Sequence, residues 1–369
     1  MDKKQIILLV DENYEKIGPE KSIVEGFSNN MPEEFQVLVY KMPISFMRRN
    51  NVILLNRLKK SIYKTISDRV IAVIPISCTI CFYSLFLFRE LNKKNIQIIA
   101  HMGDCNLAGI ISAKKKRKEL QKRQSLFSSL KEIFRAIMLY VKEDIILKKY
   151  KKAIYITNND IKNINKYHKS VKSKIYLVKY GIQISRNIEK RLNKEELVIG
   201  AICTFNTTTY EDYFETFFEQ CKAIKKNIPY LQIVIAGRNA SESQIMKMKK
   251  YDFVNYIGEV EDIRDFYNSV DIVFTTVPKT AGILTKIIEA FAYGKCVIGY
   301  RENFLSIEEA KPFEHYIPAN TEEEFLEAFH KCIENSSLVC DIGNNAKALV
   351  REYYTWSSQC IKLKECIEE

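Results

Sequence analysis

The sequence predicts an α/β protein with two parallel-sheet domains, and three observations predict it. Short apolar runs recur at 5–10 (QIILLV), 95–100 (NIQIIA), 231–236 (LQIVIA) and 296–300 (CVIGY), with helix-length segments between them. Continuous apolar runs of this length suit strands covered on both faces. The length, 369 residues, exceeds what one hydrophobic core normally supports. Polar and glycine-containing stretches follow the strand runs, as in HMGDCN (101–106) and AGRNA (236–240). Open parallel sheets bind ligands at that end.

Composition narrows the class. Apolar residues make up 47% and charged residues 28%, which is globular rather than disordered. The net charge of +12 is uneven: residues 1–190 hold 37 Lys and Arg against 17 Asp and Glu, and the remainder 20 against 28. A basic first half points to an anionic partner, either a membrane surface or nucleic acid. No RNP, KH or zinc-finger pattern appears, so nucleic acid is not expected. The ten cysteines are scattered without a histidine cluster and read as reduced thiols in the core. The N-terminal segment lacks a signal-peptide apolar region and reads as a first strand, implying a cytoplasmic protein.

Taken in order, 5–10 is a strand, and Gly18-Pro19 breaks the chain before a helix near Glu20. A second strand is expected at 35–41. The most apolar stretch, 69–88, approaches bilayer length, but Pro75, Ser77, Thr79 and Ser84 interrupt it. It reads as a strand at 70–74 and a buried helix over 77–93, with a membrane span as the alternative. A strand at 95–100 ends in HMGDCN. Residues 113–152 contain no Gly or Pro and predict a long helical region. There Leu126, Leu130, Ile133, Ile137 and Val141 form an apolar stripe against a basic face. Such a stretch suits either a membrane-surface element or a domain helix with a solvated charged face. Strands at 153–157 and 175–178 flank a helix begun by NND. A polar run at 187–196 marks the boundary between domains of residues 1–190 and 191–369.

The second domain opens with LVIGAICTFN (197–206), a helix over 210–226 and a strand at 231–236. VNYIGEV (254–260) reads as strand and turn. Residues 270–300 read as strand, loop, helix and strand, with Gly294 at the helix C′ position. Beyond them come a helix around 307, a strand near 315–317, a helix over 321–334 with Thr321 and Glu324 at capping-box spacing, and a helix over 341–353.

The chemistry concentrates where the 270–300 helix starts. Gly282 lets backbone N–H groups approach a phosphate, and a helix N-terminus attracts an anion. Lys286 and Glu289 stand three apart on one face. A cation near a diphosphate and a carboxylate accepting two ribose hydroxyls suit a sugar nucleotide; an exposed Lys–Glu pair is the plainer alternative.

GILTKIIEAFAYGKCVIG (282–299) resembles the donor-binding helix of GT-B glycosyltransferases of family four, where one branch reads G-I-x-x-K-x-x-E-A-x-A-x-G-x-x-V-I. The resemblance runs upstream through YIGEVEDIRDFYNSVDIVF and IVIAGRNASESQ and covers 197–300. Glu289 matches the second member of the family's Glu-x7-Glu pair; the first position is Ala281 here. The resemblance implies two Rossmann-like domains facing a central cleft, the acceptor on the first and the donor on the second. It implies a retaining, metal-independent transfer from a UDP- or GDP-linked sugar, with no cofactor. It places Gly282, Ile283, Leu284, Thr285, Lys286 and Glu289 at the donor, and Gly258, Glu259 and Val260 against the base. Relatives carry Arg and Lys in the first loop of the second domain; here Thr204, Asn206 and 207–209 stand there, with Arg238 as a source of charge. In the first domain it places His101 beside the transferred sugar and Asp104 at the acceptor hydroxyl. Gly18 and Lys21 would form an acceptor or phosphate loop, against a plain turn. Trp356 matches the tryptophan of the family's closing helix, which crosses back to the first domain. The expected function is surface-polysaccharide synthesis with a saccharide or lipid-linked acceptor, in the cytoplasm and peripherally at the inner membrane face. The alternatives are a degenerate GT-B partner of another transferase and a sugar-nucleotide epimerase.

Overall fold

The computed structural model describes residues 2–16, 18–43, 60–64, 66–119, 126–184, 197–205, 208–275 and 282–369. By their contacts they form two units. One comprises Met1–Gly181, Ala281–Ile283 and Tyr354–Glu369; the other comprises Ile182–Thr280 and Leu284–Tyr353. The expected boundary at 187–196 lies outside the described residues.

The first unit runs β1 (Lys4–Asp11), α1 (Gly18–Asn30), β2 (Phe35–Met42), β3 (Val70–Pro75), α2 (Cys78–Tyr83), α3 (Phe88–Lys93), β4 (Gln97–Gly103), α4 (Asn106–Glu119), α5 (Leu126–Lys149), β5 (Lys152–Tyr155), α6 (Asn158–Tyr167) and β6 (Lys174–Leu177). Its six strands are parallel in the order β2-β1-β3-β4-β5-β6. β1 lies inside the sheet between β2 and β3, and Ile6–Val10 are fully buried. Ile7 and Leu9 join a core with Cys81, Ile98, Ala100 and Ile146. On the other face Phe27 of α1 sits edge-on to His101 of β4, centroids 5.8 Å apart. The same Phe27 meets Trp356 at 5.5 Å. Trp356 begins the last helix, α13 (Trp356–Glu368), which packs on α1.

The second unit runs β7 (Leu197–Thr204), α7 (Thr208–Asn227), β8 (Leu231–Arg238), α8 (Glu242–Met248), β9 (Val254–Gly258), α9 (Ile263–Ser269), β10 (Ile272–Thr275), α10 (Thr285–Ala292), β11 (Cys296–Gly299), β12 (Ile317–Pro318), α11 (Glu322–Glu334) and α12 (Ser336–Tyr353). The sheet order is β12-β11-β10-β7-β8-β9, again parallel. Phe218, Phe274, Phe325 and Phe329 fill its core. The two sheets are the two α/β domains that the recurring apolar runs predict.

Several elements depart from expectation. β4 continues to Gly103, because parallel pairing with β5 reaches His101↔Ile154 and Gly103↔Tyr155. The polar HMG stretch hid this. The helical region expected over 113–152 begins earlier, at Asn106, and is helical over Asn106–Glu119 and Leu126–Lys149; 120–125 lies outside the described residues. The 77–93 helix is broken by a 3₁₀ turn over Ser84–Leu87. No helix of the described residues is long and apolar enough to cross a membrane. Near 307 there is only a 3₁₀ turn at Arg301–Phe304, and the strand expected at 315–317 shrinks to Ile317–Pro318. α12 starts at Ser336 rather than 341, because Asn335 Oδ1 accepts from Leu338 N and caps it. Gly294 takes the C′ position with φ 67°, and Lys295 N closes the end on Ala290 O at 3.0 Å. Cys78 and Cys81 stand at Cys-x-x-Cys spacing; both are buried and form no disulfide, and burial pushes Cys78 up to about 12.

Candidate functional site

Strand order locates the ligand end of the second sheet. From β7 the chain steps outward to β8 and β9, then returns to lay β10 on the other side of β7. The crevice outside the carboxyl ends of β7 and β10 is therefore the topological switch point. α10 starts from the loop after β10. Its Lys286 reaches to β7, where Nζ donates to Ile202 O at 2.7 Å. Glu289, one turn on, is mostly buried; Tyr267 Oη of α9 donates to its Oε2 at 3.4 Å. Burial raises the Glu289 pKa above the ordinary carboxylate range, opposed by the Lys286 charge and the Tyr267 bond.

The neighbouring strand ends carry the other candidates. Arg238 closes β8 and pairs with Thr204. Gly237 before it packs so tightly on Cys203 O that a side chain would overlap the carbonyl. Tyr256 Oη donates to Gly237 O at 2.8 Å and fixes that end. Gly258 ends β9 at φ 74°, and Val260 follows in the next turn, half-buried. Gly282 has φ 66°, a conformation that L side chains rarely adopt. Ile283 is buried, Leu284 and Thr285 half-buried, and α10 has no side-chain cap on its N-terminus. The structure thus brings Arg238, Gly258, Val260, Lys286 and Glu289 to one end of one sheet. Ala281, Asn206 and Thr207 lie outside the described residues, and so do the side chains of Thr204, Thr208 and Thr209.

The first sheet has the same geometry in another order: β2 lies on one side of β1 and β3 on the other, so its switch point lies between β1 and β3. Gly18 and Lys21 open α1 immediately after β1. Lys21 pairs with Glu25 at 3.7 Å on the exposed face. His101 is not in a loop beyond β4 but within the strand. The pleat turns its ring under α1, leaving it 1% exposed, and Nδ1 has no hydrogen-bond partner. Burial lowers its pKa to about 4, so the ring is neutral at pH 7. Asp104 follows the strand, with a buried Oδ1 that makes no hydrogen bond. A methyl on Gly282, which clusters with this unit, would lie 2.5 Å from that carboxyl group.

Sequence reading missed four residues here. Glu20, in the first turn of α1, is pushed up to about 7, mainly by burial and then by Asp11 at the end of β1; a bond from Ser77 works against both. Ser77, after β3, has φ 83° and ψ 151°, a region otherwise kept for glycine, and its N–H donates to His101 O at 2.9 Å. Two buried carboxyl groups hold the loop after β4. Glu143 of α5 accepts from Asn106 N at 2.9 Å and Leu107 N at 3.4 Å, and meets His168 Nε2 at 3.1 Å. Asp160 of α6 accepts from Cys105 N at 2.9 Å. Only strand order and three-dimensional pairing reveal these; their sequence surroundings are ordinary helix starts and helix interiors.

Comparison with known proteins now assigns the fold. Residues 196–335 match the family described as Glycosyl transferases group 1. Residues 196–335 thus carry the signature of glycosyl transferases group 1, and the chain has the GT-B fold. Among solved structures, the chain superposes on sucrose-phosphate synthase from Thermosynechococcus elongatus with TM-score 0.68 and 13% identity, over 99% of this chain and 98% of that one. HepE from Anabaena, solved with UDP and glucose, gives 0.66 at 13%, over 98% and 99%. TarM gives 0.62 at 15%, but the chain spans only 58% of TarM. At such identities these likenesses speak for the fold. No curated protein matches the sequence.

Proposed function

We propose that the enzyme transfers a sugar from a UDP- or GDP-linked donor to a saccharide or lipid-linked acceptor, with retention of configuration, in surface-polysaccharide synthesis. One observation carries the reading: Lys286 spans the switch point from α10 to β7, one helical turn from a buried carboxyl group. In this reading Lys286 and Arg238 neutralise the diphosphate as it takes up charge, together with the N-terminus of α10. Glu289 accepts hydrogen bonds from the ribose, and the base stacks toward Gly258 and Val260. Those cationic groups supply the charge stabilisation, so the proposal includes no metal and no cofactor. HepE has been solved with UDP-glucose, and the pneumococcal O-GlcNAc transferase GtfA with UDP and GlcNAc, which supports a nucleotide-sugar donor.

On the acceptor side the proposal keeps Gly18, Lys21, His101 and Asp104 in the first domain, residues 1–190, with residues 191–369 as the donor domain. It places the enzyme peripherally at the inner membrane face, where the basic first half would meet anionic lipid. The test is a thermal-shift screen against nucleotide sugars, followed by UDP or GDP release with and without acceptor. No shift with any nucleotide sugar refutes the donor site. Binding with no turnover favours a degenerate partner protein, for which Ala281 is the specific motive. Turnover of the sugar without an acceptor favours an epimerase.

A further inference from the structure

We propose that α5 is the docking element of the first unit, laying one apolar stripe onto an anionic lipid bilayer. The proposal rests on the peripheral-membrane part of the function above and assigns it to named residues. Leu130, Phe134 and Ile137 are 60%, 66% and 56% exposed, and Ile133, Met138 and Val141 are exposed beside them. These six large side chains fall within about 140° of the helix circumference at 3.6 residues per turn. α5 is in no way short of buried partners, since Glu143, Ile146 and Leu147 on its other face are buried in the unit. The sequence therefore places a second apolar face on a helix that already has one, and none of the described residues covers it.

Charge chooses the occupant. At the same helical pitch Lys131, Arg135, Lys142 and Lys149 line one flank of the stripe. Lys131, Arg135 and Lys149 are exposed. A second copy meeting this face would bring like charges together, which opposes pairing. An anionic bilayer accepts both components: the apolar side chains enter the acyl boundary, and the lysines extend to the headgroups.

The test is co-sedimentation of the full-length protein with vesicles of equal phosphatidylglycerol and phosphatidylcholine. Binding is expected at low salt and should fall with added salt. Phosphatidylcholine vesicles alone should bind weakly. Ile137→Glu should lower vesicle binding at least tenfold without changing the melting temperature, because the position is exposed. Phe134→Trp should show a blue-shifted emission on adding anionic vesicles; the natural Trp356 is buried and supplies a constant background. Failure of the wild type to sediment, or sedimentation unaffected by Ile137→Glu, overturns the proposal. So does a dimer in light scattering that Ile137→Glu converts to monomer, since the face would then belong to a second copy. The thermal shift with soluble nucleotide sugars is read in the same variants. It stands or falls separately, so loss of docking and loss of the donor site are distinguishable.

Discussion

Glu289 and Glu20 are both carboxyl groups held above their ordinary pKa by burial, and they predict different pH effects. A ribose bound to Glu289 favours its ionised form. Donor affinity should therefore rise with pH through the raised pKa, and Glu289→Gln should lose roughly 10- to 100-fold in affinity, the worth of a charge-assisted bond. Isothermal titration with UDP or GDP across pH checks this; an unchanged Kd in the variant refutes the role. Glu20 bears on stability. Its folded pKa, about 7, exceeds the ordinary carboxylate value of 4.5. The folded state thus holds a proton that the unfolded chain has lost, and the contribution to stability falls as pH rises through that window. His101 has the opposite sign: its folded pKa, about 4, lies below 6.5, so its contribution is lost as pH falls between them. Glu20→Gln should therefore be more stable than the wild type at pH 8, by on the order of 1–2 kcal/mol after allowing for solvent reaching the side chain, and equal to it near pH 4. Urea denaturation at the two pH values measures the difference.

At the scale of elements, the helix ends carry measurable energies. Thr321 caps α11 by accepting from Glu324 N, and Glu324 Oε2 reaches Asn320 N at 2.6 Å instead of closing the box on Thr321 N. Thr321→Ala should cost about 1 kcal/mol in a chemical melt. Glu143→Ala should cost more, about 3 kcal/mol, because it leaves the half-buried Asn106 amide, the buried Leu107 amide and His168 without their partner. A loss under 1 kcal/mol would refute that account. These cases also show what the sequence made legible. Strands β1, β8 and β11 were readable because an unbroken apolar run has few other uses. α10 was readable because its apolar spacing, Gly294 and Lys286 agree with one another. β4 was misread at its end, because its last residues are polar and strand pairing, not composition, keeps them in the sheet. Glu20, Ser77, Glu143 and Asp160 were invisible because their roles come from partners 9 to 57 residues away in the chain rather than from local pattern. The exposed stripe of α5 was visible as periodicity, but only burial in the structure shows which of its faces is covered.

At the scale of the whole molecule, each unit has its own sheet and core, and the first is completed by the chain's end. Trp356 fills a space between Phe27 and Tyr180. Glycine is needed opposite it, since a methyl on Gly181 would lie 2.5 Å from the ring. Trp356→Ala should cost about 3–5 kcal/mol. Hydrogen exchange should localise the loss of protection to β1, α1 and β4, leaving β7, β8 and β10 protected. Loss shared equally by both sheets would refute the assignment of α13 to the first unit.

The position of α13 has a consequence for biosynthesis. On a ribosome, residues 182–353 emerge before the segment that finishes residues 1–181. The half made first must therefore wait, with the Trp356 niche open, until synthesis reaches residue 369, while the half made second can mature ahead of it. A nascent chain stalled just short of Tyr354 should accordingly be cut by protease in its older half and resist it in its younger one.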